Sequence, residues 1–138
     1  MAKIYHSGVQ PVRPATYTTL SFDVDEVNTD GMHQRVANDS RLTARIGGNY
    51  LVGYSIQYPA NNVGYRSGRI LKNGAASVAN LMSVPAVTGD HTTLSGQVIL
   101  AVSAGDYVEL QAYQTSESTL NVQAGSQGTW FSMVYLGE

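Results

Sequence analysis

The densest run of acidic side chains lies near the N-terminus, where Asp23, Asp25, Glu26, Asn28 and Asp30 fall within eight residues. Neighbouring carboxylates can share acid and base duties only where their surroundings push the pKa values apart. No residue close by in the sequence would do that. The same oxygens are of the hard kind that calcium prefers, and Gly31 permits a sharp loop. Asp25, Asn28 and Asp30 are therefore candidate calcium ligands, although no Glu stands where a twelve-residue calcium loop would close. The plainer alternative is that these side chains cap their own turn.

The three histidines, His6, His33 and His91, are too far apart to form a metal-ligand motif. Each sits beside turn residues, which reads as an exposed loop position. There is no Gly-x-Ser-x-Gly elbow, no evident Ser/His/Asp set and no glycine-rich phosphate loop. The absence of cysteine excludes disulfides and thiolate metal sites. No catalytic set and no cofactor are expected, so the sequence points away from an enzyme. Asn38-Asp39-Ser40 fits a glycosylation acceptor, but without an export signal it reads as chance.

Charge narrows the partners. Only 13% of the 138 residues are charged and the net charge is −2. The basic residues are scattered, with Arg66, Arg69 and Lys72 the densest group, best read as a solvated strand face. No stripe would neutralise a phosphate backbone, so nucleic acid is not an expected partner. No stretch approaches the ~20 apolar residues that span a bilayer, so membrane insertion is not expected. The opening residues carry no apolar run of signal-peptide length, and the expected place of synthesis is a cytoplasm.

The elements that position these groups are strands. From Asn49 to Tyr58, Tyr50, Val52, Tyr54, Ile56 and Tyr58 share one face, with Leu51, Gly53, Ser55 and Gln57 on the other. Alternation of period two over ten residues marks a strand with one buried face. Shorter strands are expected over Tyr17–Phe22, Arg41–Ile46, Gly64–Lys72, Ala75–Val84, Tyr107–Gln114 and Leu120–Ala124. Asn73-Gly74 is a strong hairpin-turn signal. The run Val98 to Val102 within Thr92–Val102 is apolar without alternation, which predicts a central strand covered on both faces. Thr129–Leu136 is apolar on both faces too and belongs inside a sheet. Pro11 and Pro14 make Met1–Pro14 an N-terminal arm or edge strand, leaving 15–138 as the domain. These nine or ten strands predict an all-β fold, a two-sheet antiparallel jelly-roll sandwich.

Several of these residues resemble the globular-head family of complement's first-component q, related in fold to tumour necrosis factor. Gly48, Tyr50, Val52 and Tyr54 fill its Gly-x-Tyr-x-Phe-x-aromatic pattern, with Val52 in place of an aromatic. Phe22 and Asn28 match its upstream pair, and Leu42 stands six positions before the glycine where the family prefers Phe. Leu71, Asn73 and Gly74 look like its leucine and Asn-Gly turn; Gly105-Asp106 with Val108 and Leu110 looks like its Gly-Asp strand entry. Phe131–Leu136 is similar to its closing strand, with Met133 in place of the usual glycine. No collagen-like stem precedes the head.

The runs Tyr17–Phe22, Thr29–His33, Ser40–Leu42 and Ser83–Ala86 look like the stand-alone heads of bacteriophages and bacteria. That resemblance implies a homotrimer on the surface of a virus particle, made in the host cytoplasm: a capsid decoration or cementing protein, or a head fibre, bound to a major capsid or other virion protein. The alternative it implies is a tail or bacterial-surface adhesin head that recognises a cell-surface glycan or protein receptor. The polar loops Asn61–Gly64, Thr115–Ser118 and Gly125–Gly128 would carry such contacts. Tyrosine and tryptophan combine apolar area with a polar tip and suit surfaces that meet other subunits. Tyr50, Tyr54, Tyr58, Tyr113, Trp130 and Tyr135 are thus the expected interface residues, the alternative being that they fill one core.

Overall fold

Alternation builds the strands, and burying their apolar faces builds the sandwich. The computed structural model describes residues 1–75 and 82–138, and among these every regular element is a strand. The longest, β6 (Gly48–Tyr58), buries all five inward side chains that its pattern predicts. It pairs with β9 (Thr92–Val102) on one side and β12 (Trp130–Gly137) on the other. β12 pairs in turn with β1 (Ala2–Tyr5), and β1 with β4 (Val24–Asn28), giving the sheet order β4-β1-β12-β6-β9.

The second sheet has the order β3-β10-β7-β8, from β3 (Thr18–Thr19), β10 (Tyr107–Gln114), β7 (Tyr65–Lys72) and β8 (Met82–Pro85). β5 (Arg41–Thr43) also pairs with β10. A ribbon of β2 (Gln10–Val12) and β11 (Leu120–Val122) adds Val12, Leu120 and Val122 to the core. All of these pairings are antiparallel.

Between the sheets, Phe22 stacks on Phe131 at 6.0 Å, among Ile4, Leu20, Ile70 and Leu110. Glycine makes room for the Tyr54 ring. A Cβ on Gly96, its cross-strand partner on β9, would lie 3.0 Å from that ring, and one on Gly68 of the facing sheet 3.2 Å from it and 2.9 Å from Ile56. Asn73 and Gly74 both hold positive φ, 53° and 69°, as a type I′ hairpin turn requires.

Several expectations need correction. Met1–Pro14 is neither an arm nor a sheet edge over its first residues: β1 lies between β4 and β12, because Ala2 and Ile4 are buried in the core. Pro11 sits in the two-stranded ribbon, opposite Asn121. β4 is a strand where only an acidic cluster was expected. The apolar β9 is not central; among the described residues it ends its sheet, and Ile99 is 63% exposed. Part of the expected strand Ala75–Val84, residues 76–81, lies outside the described residues. Among the described residues twelve strands form in place of nine or ten, the excess being segments too short to show alternation.

Candidate interface

β12, β6 and β9 lie side by side, and none of their residues is charged. Their outward positions carry Trp130, Ser132 and Val134, then Leu51, Gly53 and Ser55, then Ser95, Gln97 and Ile99. Small residues flatten the middle of this face, and Gly53 lets the Trp130 ring lie down, its Cβ position being 3.7 Å from the indole. One hollow of about 430 Å³ is lined by Leu51, Gly53, Trp130 and Val134, and an adjoining one of about 390 Å³ by Met1, Lys3, Val27, Trp130 and Val134. The cation Lys3 stands at the β1 side, 5.2 Å from the centre of the Trp130 ring and 2.8 Å from Glu26.

The six expected aromatics divide. Tyr50, Tyr54 and Tyr58 are buried in the protomer's own core, which corrects their assignment to an interface. Their in-phase spacing is what packs them inward. Tyr50 donates to the Ile46 carbonyl at 2.9 Å, and Tyr58 donates to the Ser67 carbonyl at 2.8 Å. Burial pushes the phenols of Tyr54 and Tyr58 above the usual tyrosine range. Tyr135 is half-buried against Tyr50, ring centres 5.2 Å apart, and Tyr113 belongs to the opposite sheet. Only Trp130 of the six faces outward from β12-β6-β9. The residues that accompany it, Leu51, Val134 and Ile99, are the out-of-phase apolar positions of their strands, and that phase was the available signal.

The acidic cluster does not assemble as a calcium site, because its oxygens already face donors. Asp25 accepts from His33 Nδ1 at 2.5 Å, from Asn28 at 3.2 Å and from Arg35 at 3.2 Å. Asn28 Oδ1 accepts from the Met32 amide at 2.8 Å, and Asp30 pairs with the N-terminal ammonium at 2.5 Å. Among the described residues no three His, Cys, Asp or Glu side chains converge as metal ligands. Burial works to raise the Asp25 pKa, but the hydrogen bonds from His33 and Asn28, with the charges of His33 and Arg35, hold it below the usual carboxylate range.

His33 is not the exposed loop residue expected: it is 5% accessible. Its other nitrogen, Nε2, lies 2.9 Å from the Asp39 carbonyl. Both ring nitrogens thus face oxygens of the protein, one on each side of the loop. The loop between β4 and β5 hangs from this ring.

Arg66 likewise leaves the solvated face on which it was expected. It lies fully buried on the inner side of β7, donating to the carbonyls of Val63, Tyr65 and Asn61 and to Asn61 Oδ1 at 2.8–3.2 Å. Desolvation lowers its pKa from the ordinary arginine value. The loop Asn61–Gly64, expected to be a free contact loop, is clamped by it.

These sheets define a class, the antiparallel jelly-roll sandwich, and solved structures place it more closely. The chain is similar to the globular domain of the zebrafish complement 1qA protein, with a TM-score of 0.69 and 11% identity over 98% of this chain and 95% of that one. It is similar to murine APRIL, TM-score 0.71 and 11% identity over 98% of both chains. The Eiger TNF of S. frugiperda aligns at a TM-score of 0.66 and 14% identity, over 100% of this chain and 93% of that one. No protein-family model matches the sequence, and no curated protein does. The chain has the fold of the C1q/TNF-like jelly-roll superfamily.

Proposed function

We propose that this chain is a non-enzymatic structural module that assembles as a homotrimer through the outward face of β12-β6-β9. The observation that carries the proposal is that three adjacent strands are uncharged while their outward apolar side chains are only half-buried within the protomer, at Leu51, Trp130 and Val134, or exposed, at Ile99. Covering such area contributes about 25 cal/mol per Å². A stable interface needs burial on the order of 1,000 Å², which a sheet face of this kind can supply. A ring of three closes upon itself without leaving an unsatisfied copy of the face.

The setting we propose is the surface of a virus particle, where the trimer acts as a bacteriophage capsid decoration or head-fibre protein on a major capsid or other virion protein. The resemblance of Tyr17–Phe22, Thr29–His33 and Ser83–Ala86 to stand-alone heads supports it. The second reading, an adhesin head that binds a cell-surface receptor, draws on the exposed rings of Tyr17 and Tyr65 flanking Tyr113 on the opposite sheet. Electron microscopy of purified particles that contain the chain tests the choice. Trimeric density at local threefold positions of the head shell is the expected result; density at a tail tip favours the adhesin, and a chain found on no particle overturns both.

A further inference from the structure

We infer that the loop between β4 and β5 and the strand β5 together form a binding site for a single oxyanionic group, held by Arg41 and Arg45. This goes beyond the association proposed above and does not depend on it. A hollow of about 140 Å³ opens between loop residues that include Gln34 and Asn38 and the outward side chains Arg41, Thr43 and Arg45. Drug-sized ligands occupy pockets of roughly 300 Å³ or more, so this one suits one small group.

Its donors are unspent. Arg41 Nε is buried without a hydrogen-bond partner. The Arg41 guanidinium is stacked 4.0 Å over the Tyr107 ring, which fixes its plane. The nearest carboxylate, Glu109, is 3.8 Å from Arg41 Nε, and its Oε2 already accepts from the Ser40 hydroxyl at 2.6 Å. Among the described residues, no hydrogen bond or ion pair engages the Arg45 guanidinium, and none engages the side chains of Gln34, Asn38 or Thr43. With Arg41 beside the one carboxylate and no acid paired with Arg45, positive charge is in excess beside neutral donors. A carboxylate, sulfate or phosphate group answers that arrangement, because arginine pairs with planar or tetrahedral oxyanions through charge-assisted bonds.

The walls are organised before any ligand arrives. His33 holds the loop from both sides, through Asp25 on β4 and the Asp39 carbonyl next to the hollow. Asn38 takes a positive φ of 57° there, and its carbonyl accepts from the Arg41 amide at 3.0 Å. A wall already fixed lowers the ordering cost of binding.

The test follows the arginine Nε–H signals of the nitrogen-labelled full chain by NMR. Inorganic phosphate, sulfate, acetate and glucuronate are added in turn, with chloride at matched ionic strength as the reference. The Arg41 signal is expected to shift and saturate while the exposed Arg13 signal does not. Response to phosphate and sulfate alone marks a phosphate or sulfate group as the ligand; response to acetate and glucuronate marks a carboxylate. Arg41→Gln should abolish the saturation, and Arg45→Gln, at an exposed position that the fold does not need, should weaken it about tenfold. Shifts that stay linear, or that move Arg13 and Arg41 alike with every anion, overturn the site. So does unchanged saturation in the Arg45 variant.

Discussion

The outward faces of the two sheets are built on the same alternation and end as opposite surfaces. On β12-β6-β9 the outward positions carry no charge, and apolar Leu51, Ile99, Trp130 and Val134 alternate with serines, glycine and Gln97. Along β3, β10 and β7 the outward polar side chains pair with one another: Arg69 lies 3.4 Å from the Tyr17 ring and donates to Gln111 at 2.8 Å, and Gln111 donates to Thr19 at 2.9 Å. That stretch is satisfied within one chain. The face of β12-β6-β9 leaves apolar area partly open, which the proposed trimer would cover.

The substitution that strikes this contrast hardest is Val134→Arg. It places a charge in the centre of the uncharged face without touching the core. Desolvating an unpaired charge costs several kcal/mol, so association should weaken at least about a thousandfold while the protomer remains folded. Sedimentation and circular dichroism of the variant check both halves of that statement. The next largest effect should come from Arg66→Met, which leaves the carbonyls of Asn61 and Val63 without their donor; Tyr65 keeps the Thr115 amide. Chemical denaturation should show a loss of about 3 kcal/mol, with the oligomeric mass unchanged.

Asp25→Asn should follow, at about 2 kcal/mol, since it removes the charged acceptor of His33. Here the sign with pH is fixed. The folded carboxyl of Asp25 is held below its unfolded value, so its contribution is present above about pH 4 and disappears as pH falls through the folded pKa. Denaturation midpoints measured from pH 6 down to pH 2 should fall more steeply for the native chain than for the variant. The smallest effect is expected for Arg69→Gln on the second sheet: under about 1 kcal/mol in stability and no change in mass. A large change in mass there would erase the contrast between the two faces.

Much of the architecture was readable from the chain. The ten-residue alternation of β6, the Asn73-Gly74 turn and the apolar closing strand each express a local rule, and each formed as written. What escaped was set by distant partners. Ala2 to Tyr5 is too short to betray a strand held between two others. Arg66 is buried because a loop of carbonyls folds over it, and His33 because Asp25 and the Asp39 carbonyl bracket its two ring nitrogens. The candidate interface was legible only in part. Tyrosine identity drew attention to Tyr50, Tyr54 and Tyr58, whereas phase decides the face, and phase assigns those rings to the core. The apolar run of β9 misled in the other direction: it reads as a strand covered on both faces, whereas β9 ends its sheet among the described residues and Ile99 is exposed.

The mass of the unmodified protein in solution bears on this most directly. Sedimentation equilibrium at micromolar concentration should give three times the 14.8 kDa of one chain. A species of one chain's mass under those conditions, with Ile99 exposed to water, would contradict the account.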